Sequence, residues 1–189
     1  MNVYDAARSR RTIRKFKQEP VSREDIMKII DCARLAPYGA NMQPLKFAVI
    51  EDEQKRRDLF PLIKYAGYLS DWNPAFEECP TVFIAVLADS SIKPPANTEC
   101  DCGAAVMSMC LEAEELGIGS CWLGAIDRPK IKEKLGLDEK YDVKYLLGLG
   151  IPAQSGDVFD IKDDIKYYFD ENGNVHVPKR TMDEIIVKL

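Results

Sequence analysis

Histidine is nearly absent: His176 is the only one in the chain's 189 residues. That scarcity removes most nucleophile–base and zinc chemistries, because Ser-His-Asp and Cys-His catalysis and the common zinc sets all draw on imidazole. Any of them would have to use a residue next to the turn signal Asn172-Gly173. No apolar run approaches the eighteen or more residues of a membrane span. The segment Met1–Arg14 carries Asp5, Arg8, Arg10, Arg11 and Arg14 and nothing like the apolar stretch of a signal peptide. A cytoplasmic protein without a membrane partner is the expectation. Basic residues are outnumbered, 26 Lys and Arg against 31 Asp and Glu for a net charge of −5, which argues against a nucleic-acid partner, whose phosphates call for a basic excess. Repeats, low-complexity linkers and breaks in composition are missing too. A chain that is 46% hydrophobic has enough apolar surface for one domain, residues 1–189, around one core.

Cysteine is plentiful by comparison: Cys32, Cys79, Cys100, Cys102, Cys110 and Cys121. Cys100-Asp-Cys102 is a C-x-C rather than a pair of spaced C-x-x-C knuckles, and a cytosolic chain of this size needs no disulfide staple. The six read as buried small hydrophobes, and no metal is expected.

Asn2 caps a short helix, and Ser22-Arg-Glu-Asp25 opens a second with Ile26, Ile29, Ile30 and Ala33 on one face. That helix must stop before Pro37, leaving Pro37 to Pro44 as a loop bounded by two prolines. Leu45–Glu51 reads as a strand, Asp52 to about Phe60 as a helix, and Thr81–Ala88 as a fully buried strand. Residues 60–80 are irregular, with Tyr65, Tyr68 and Trp72 among Gly and Pro signals; they form either a cover over a site or an ordinary surface excursion. Asp101–Leu116 is a helix closed by Gly117. Its Gly103, Ala104, Ala105 and Ser108 suit close approach of a partner subunit or burial within a monomer. Ser120–Gly124 is extended, a helix follows from Asp127 with Pro129 in its first turn, and Val143–Ile151 is another buried strand. The tail, 165–189, reads as a hairpin around a type I′ turn at Asn172-Gly173 and a last helix opened by the capping box Thr181-Met-Asp-Glu184. Helices first, then strands and helices mixed, give an α+β class.

Arg10-Arg11-Thr12-Ile13-Arg14 is the most suggestive local group. Guanidinium forks bind phosphate in pairs of hydrogen bonds and the hydroxyl adds a donor, so this segment is either an anion clamp or a solvated basic stretch. Gly148-Leu-Gly150-Ile-Pro-Ala153 fits the dinucleotide fingerprint nominally but fails on Pro152 and on the lack of a following helix. An anion clamp and a loop of polar amides without a nucleophile suit a protein whose bound cofactor does the chemistry.

Taken together, the segments resemble the nitroreductase superfamily along almost the whole chain. Ser9–Phe16 is similar to that family's R-R-S-I-R-x-F stretch and Ala33–Pro44 to its A-x-x-A-P-S-x-x-N-x-Q-P-W loop. Asp101–Ala105 and Leu116–Gly124 are similar to its central helix and the following G-L-G-T-C-W-x-G. The resemblance implies a central, mostly antiparallel sheet flanked by helices in an intertwined homodimer with FMN at the subunit interface. It implies that Arg10, Arg11 and Thr12 meet the FMN phosphate and ribityl end and that Arg14 reaches the ribityl chain or the pyrimidine edge. Pro37, Tyr38 and Gly39 of the other subunit would pack on the flavin ring, with Asn41 and Gln43 organising that loop. Trp122 would lie close to the cofactor, the backbone of Leu123 or Gly124 would face flavin N5, and Lys179 or Arg180 would complete the phosphate clamp. Tyr38-Gly39 and Leu45 depart from the family's usual Ser-Ser or Ser-Ala and Trp.

The implied activity passes hydride from NAD(P)H through FMN to an electron-poor acceptor such as a nitroaromatic or quinone, with ping-pong kinetics. Two other readings are a relative with dehalogenase or flavin-fragmenting activity, for which residues 63–80 would be a substrate-covering lid, and a flavin carrier or redox sensor without turnover.

Overall fold

The structure, a computed structural model, describes residues 1–69 and 72–187. Helix α1 (Val3–Ser9) opens where the Asn2 side chain accepts the Asp5 N–H at 3.0 Å. Helix α2 (Arg23–Leu35) opens on Ser22 in the same way, and both caps satisfy a donor left over at a helix start. Between them lies the short strand β1 (Phe16–Lys17). α2 ends because Ala36, ahead of Pro37, is extended with ψ 152°. Then come β2 (Leu45–Ile50), α3 (Glu53–Leu59), β3 (Val82–Asp89), α4 (Glu99–Glu115), β4 (Gly119–Leu123), α5 (Arg128–Leu135) and β5 (Tyr141–Pro152). α4 begins two residues ahead of its expected start, and Gly117 at φ 71° closes it. Among the described residues no helix is long and apolar enough to cross a membrane.

The main sheet is antiparallel in all its ladders and runs β1-β5-β3-β2, with β4 on the same side of β5 as β1. β5 has room for both because it is long: β4 takes Leu146–Gly150 and β1 takes Ile151–Pro152. β3 is buried along its whole length, and its side chains alternate between two core layers. Ile84 and Val86 pack with Ile26, Ile29, Val106 and Met109 under α2 and α4. Phe83 and Leu87 pack with Leu59, Ile63, Leu123 and Ile131 on the other face. Gly148 and Gly150 are packing glycines rather than a nucleotide fingerprint, since a Cβ there would lie 2.5 Å from Pro80 and 2.9 Å from Phe16.

The tail holds the expected hairpin and extends it by a further strand. It is a three-stranded sheet in which β8 (Val175–Lys179) pairs with β7 (Tyr168–Phe169) antiparallel and with β6 (Gly156–Asp160) parallel. The turn is not type I′, which needs a positive φ at both central residues; only Gly173 has one, at 80°. Instead the Asp170 carboxylate accepts the N–H groups of Asn172 and Asn174, an arrangement in which the side chain takes over the turn. The expected last helix is the single turn α6 (Met182–Ile185), and Glu184 accepts the Thr181 N–H at 2.8 Å. Residues 188–189, at the end of the expected tail, and 70–71, within the irregular stretch 60–80, lie outside the described residues.

All six cysteines are free. Cys79, Cys102, Cys110 and Cys121 are the buried hydrophobes expected, whereas Cys32 is half-buried and Cys100 exposed, since α4 turns Cys100 away from the face that carries Cys102, Ala105 and Met109.

His176 joins the three tail strands. Its Nδ1 lies 2.7 Å from Asp157 on β6 and its Nε2 3.2 Å from Asp170 beyond β7, and its ring stacks on Tyr168. The Asp170 bond, and then the Asp157 bond and charge, raise its pKa above the ordinary imidazole value. A raised folded pKa means that this stabilisation is complete below about pH 6.5 and is lost as pH rises through the folded value. The expected result is a tail sheet less resistant to heat or proteolysis at pH 8 than at pH 6, with the difference abolished in His176→Gln. An NMR titration reads the pKa directly, because no other histidine is present.

Candidate functional site

The segment 10–14 crosses from α1 to β1 alongside β4. Thr12 bridges Ser120 in parallel, and the Ile13 N–H donates to the Ser120 carbonyl at 2.9 Å. From Ser120 the strand leads through Trp122 and Leu123 to Gly124, about 13 Å further on at the rise of an extended chain. The clamp and the β4 end therefore lie on neighbouring strands.

Within the clamp the arginines differ. Arg10 is half-buried, and its Nε is buried without a hydrogen-bond partner. Arg14 is buried, donates from Nε to the Tyr65 carbonyl at 2.6 Å and lies 4.5 Å from the centre of the Tyr167 ring. The Gln154 side chain accepts the N–H groups of both Arg14 and Lys15, fixing the chain here. Arg11 shares the buried, unpartnered Nε, but its terminal nitrogen is engaged elsewhere. Its guanidinium donates to the Arg8 carbonyl at the end of α1, and its stem packs where a Cβ on Gly156 would sit. Burial and then the Arg10 charge lower its pKa, with Glu114 and Asp157 opposing. Among the described residues no carboxylate pairs with Arg10, Arg11 or Arg14 within 4.0 Å, although Lys15 next to them pairs with Glu78. Buried guanidinium groups with no anion are costly. The residues present fit an anionic cofactor end.

Gly124 closes β4 against an aromatic wall. A Cβ there would stand 3.4 Å from the Tyr145 ring, which meets the exposed Trp122 edge to face at 5.2 Å. Arg128 donates to the Gly124 carbonyl at 3.0 Å. Leu123 is buried beneath. The excursion 60–80 is stapled beside this point, where the Lys64 N–H donates to Ala125 and the Asp127 N–H to Leu62. Its described residues pack: the Tyr65 phenol is buried without a partner, and Tyr68 and Trp72 lie against Tyr167 and Phe169 of the tail.

The loop from Pro37 to Gln43 belongs to a different neighbourhood. Its tip is exposed, and Ala40, Asn41 and Gln43 have φ of 51°, 54° and 51°, a region that costs residues other than glycine on the order of 1–3 kcal/mol each and collects at functional sites. The Tyr38 hydroxyl donates to Ala33 at 2.8 Å, and the Gly39 N–H donates to Asp101 at 2.9 Å. Burial pushes the Asp101 pKa up, while the bonds from Lys93 and Gly39 outweigh it and hold it below the usual carboxylate value. Pro37 borders an open groove of about 430 Å³ between α1, α2 and α4, lined by Val3, Leu35, Ser108 and Leu111. Among the described residues no recorded hydrogen bond joins this loop to the clamp. Lys179 ends β8, exposed, and Arg180 pairs with Glu184 at 3.3 Å; among the described residues neither side chain makes a hydrogen bond or ion pair with 10–14.

The nitroreductase family model matches residues 7–67 and 68–151, which hold the clamp, the loop and β4. The chain belongs to the nitroreductase family. A protein of Archaeoglobus fulgidus, provisionally named an NADH dehydrogenase/NAD(P)H nitroreductase, is 32% identical over 161 residues, covering 82% of this chain and 88% of that one. An iodotyrosine deiodinase of Thermotoga neapolitana is 26% identical over 168 residues, covering 79% and 88%. Among solved structures, an FMN-dependent nitroreductase of Clostridium difficile R20291 superposes with a TM-score of 0.70 at 26% identity, covering 88% of this chain and 98% of that one. The α+β fold with a central antiparallel sheet flanked by helices is that of the nitroreductases. Gln154 and Tyr145 are residues of this region that the sequence did not flag, and it read Asp101 only as a helix start and Tyr65 only as part of the irregular stretch 60–80. Their roles come from partners distant in the chain, and no local pattern marks them.

Proposed function

We propose that this nitroreductase-family oxidoreductase is an FMN-dependent enzyme that acts as a homodimer in the cytoplasm, with NAD(P)H as electron donor and a small electron-poor molecule such as a nitroaromatic or quinone as acceptor. The observation that carries this reading is the clamp: guanidinium groups without a carboxylate, on a segment running beside the strand that ends at Gly124. FMN, when bound, supplies reversible hydride transfer at N5, so that donor and acceptor react in turn with ping-pong kinetics.

The chain's own residues bind and orient. Arg10 and Thr12 hold the phosphate and ribityl end, and the donors of Arg14 not taken by Tyr65 reach toward the pyrimidine, where a positive charge favours the reduced form. The backbone at Leu123 or Gly124 offers a fixed donor at N5, and Trp122 lies next to the ring. Pro37, Tyr38 and Gly39, with Asn41 and Gln43 shaping their loop, cover the ring from the partner subunit. Lys179 or Arg180 closes the clamp when the tail of the assembled dimer docks.

Titration of purified protein with FMN, followed by anaerobic addition of NADH or NADPH, tests the reading. Quenching of flavin fluorescence and then bleaching of its visible absorbance are expected. Absence of any FMN affinity would sink it, and bound flavin that no donor reduces would indicate a carrier or sensor. The deiodinase relative and the packed aromatic side chains described within 60–80 favour a second reading, reductive dehalogenation; turnover of halophenols but not of nitroaromatics would select it.

A further inference from the structure

A strained loop must be held by something. Three departures into the left-handed region, at Ala40, Asn41 and Gln43, stand between α2 and β2, on a segment whose tip is exposed, so packing does not impose the conformation. The Tyr38 bond to Ala33 anchors only the entry, and Gln43 donates back to Asn41 within the loop. The tie from the tip to another element is Asp101 in the first turn of α4. Its carboxylate accepts the Gly39 N–H at 2.9 Å through one oxygen and the Lys93 ammonium at 2.6 Å through the other. The Asp101 side chain is only 2% exposed. Lys93 also lies against the loop backbone, since a Cβ on Gly39 would come within 3.3 Å of its Nζ. A buried carboxylate that receives two donors, one of them charged, is a strong and directional anchor. Burying it is worthwhile only with both partners in place.

We propose that Asp101 and Lys93 are positioning residues for the flavin: they set the Pro37–Gln43 loop before cofactor binding and so govern FMN affinity and ring orientation without touching the cofactor. The inference rests on the FMN reading above. A loop ordered in advance loses less freedom on binding, which is the usual source of affinity from preorganisation. Asp101→Leu combined with Lys93→Met replaces the ion pair by apolar groups of similar size, a change that buried pairs tolerate in stability, but it leaves Gly39 without its acceptor. Asp101→Asn keeps an oxygen for Gly39.

The test compares both variants, the wild type and Arg10→Ala by hydrogen exchange over 38–43 without FMN, by FMN titration and by visible circular dichroism of the bound flavin. The double variant is expected to exchange faster at the loop, to bind FMN about tenfold more weakly and to show an altered flavin dichroism, while melting near the wild-type temperature. Asp101→Asn is expected to recover most of each property. Unchanged loop exchange in the double variant overturns the proposal, as does faster exchange with unchanged affinity and dichroism. A wild type that binds no FMN overturns the flavin reading and this proposal together. A wild type that binds FMN and loses it on Arg10→Ala, beside an unaffected double variant, overturns this proposal alone.

Discussion

Arg10→Ala is expected to weaken FMN binding about a hundredfold, while Arg11→Ala leaves it within about threefold and lowers stability instead. The contrast follows from where the two neighbours point. Both carry a buried Nε without an acceptor, but among the described residues the Arg10 side chain makes no hydrogen bond at all, so an incoming phosphate gives it charge-assisted bonds that the described residues do not supply. Two such bonds from one guanidinium account for a hundredfold. Arg11 already has its acceptor at the end of α1 and packs against Gly156 and β6. Its loss removes a cap and a buried stem, worth about 1–3 kcal/mol. Thr12→Val, which deletes one hydroxyl, is expected to cost several-fold in FMN affinity. Fluorescence titration and thermal melting of the same three variants check the assignment. Equal losses of FMN affinity on Arg10→Ala and Arg11→Ala would show that the two act as one clamp, as the motif alone implies.

That distinction also marks where the sequence stops being legible. Features decided by near neighbours were readable: the Asn2 and Ser22 caps, the stop at Ala36, Asp127 and Gly136 around α5, and β3 as an apolar run with both faces buried. Adjacent residues of an extended chain point to opposite sides, but which side faces the site depends on what packs there, so Arg10 and Arg11 look alike in the motif. β6 was missed for a related reason. Gly156–Asp160 pairs in parallel with β8, so the pairing spans a long stretch of chain, and so short a segment has no alternation of its own. At Asn172 the Asp170 carboxylate captured the turn and displaced the type I′ form that Asn-Gly favours. Asp101 reads locally as a favourable charge in a first helical turn, and its tie to Gly39 emerges only when α4 meets the loop.

Charging the uncovered side of α4 is expected to convert a dimer to a monomer and to abolish stable FMN binding at the same time. α4 buries Cys102, Ala105, Val106, Met109, Cys110 and Ala113 in the core shared with its own sheet, yet its opposite side offers Gly103, Ala104, Met107, Ser108 and Leu111. Met107 is exposed there, and Val3 and Leu35 are exposed beside it. Helices apolar on both sides are covered on both sides, and contiguous exposed apolar patches mark interfaces. Because Pro37 borders this groove, a second copy seated on it brings the strained loop into the interface, where it can serve the clamp of the other subunit. Ser108→Arg with Leu111→Arg should therefore give a monomer by light scattering that retains its circular dichroism but holds FMN at least a hundredfold more weakly. The division of labour has a sharper test in co-expression of Arg10→Ala with a loop variant, Tyr38→Ala/Asn41→Ala. If the loop acts across the interface, half of the dimers are mixed and each has one site with both clamp and loop intact, giving roughly a quarter of wild-type activity from two nearly inactive parents. If the loop served its own chain's clamp, every site in the mixture would carry one defect or the other, and activity would stay at the level of the parents.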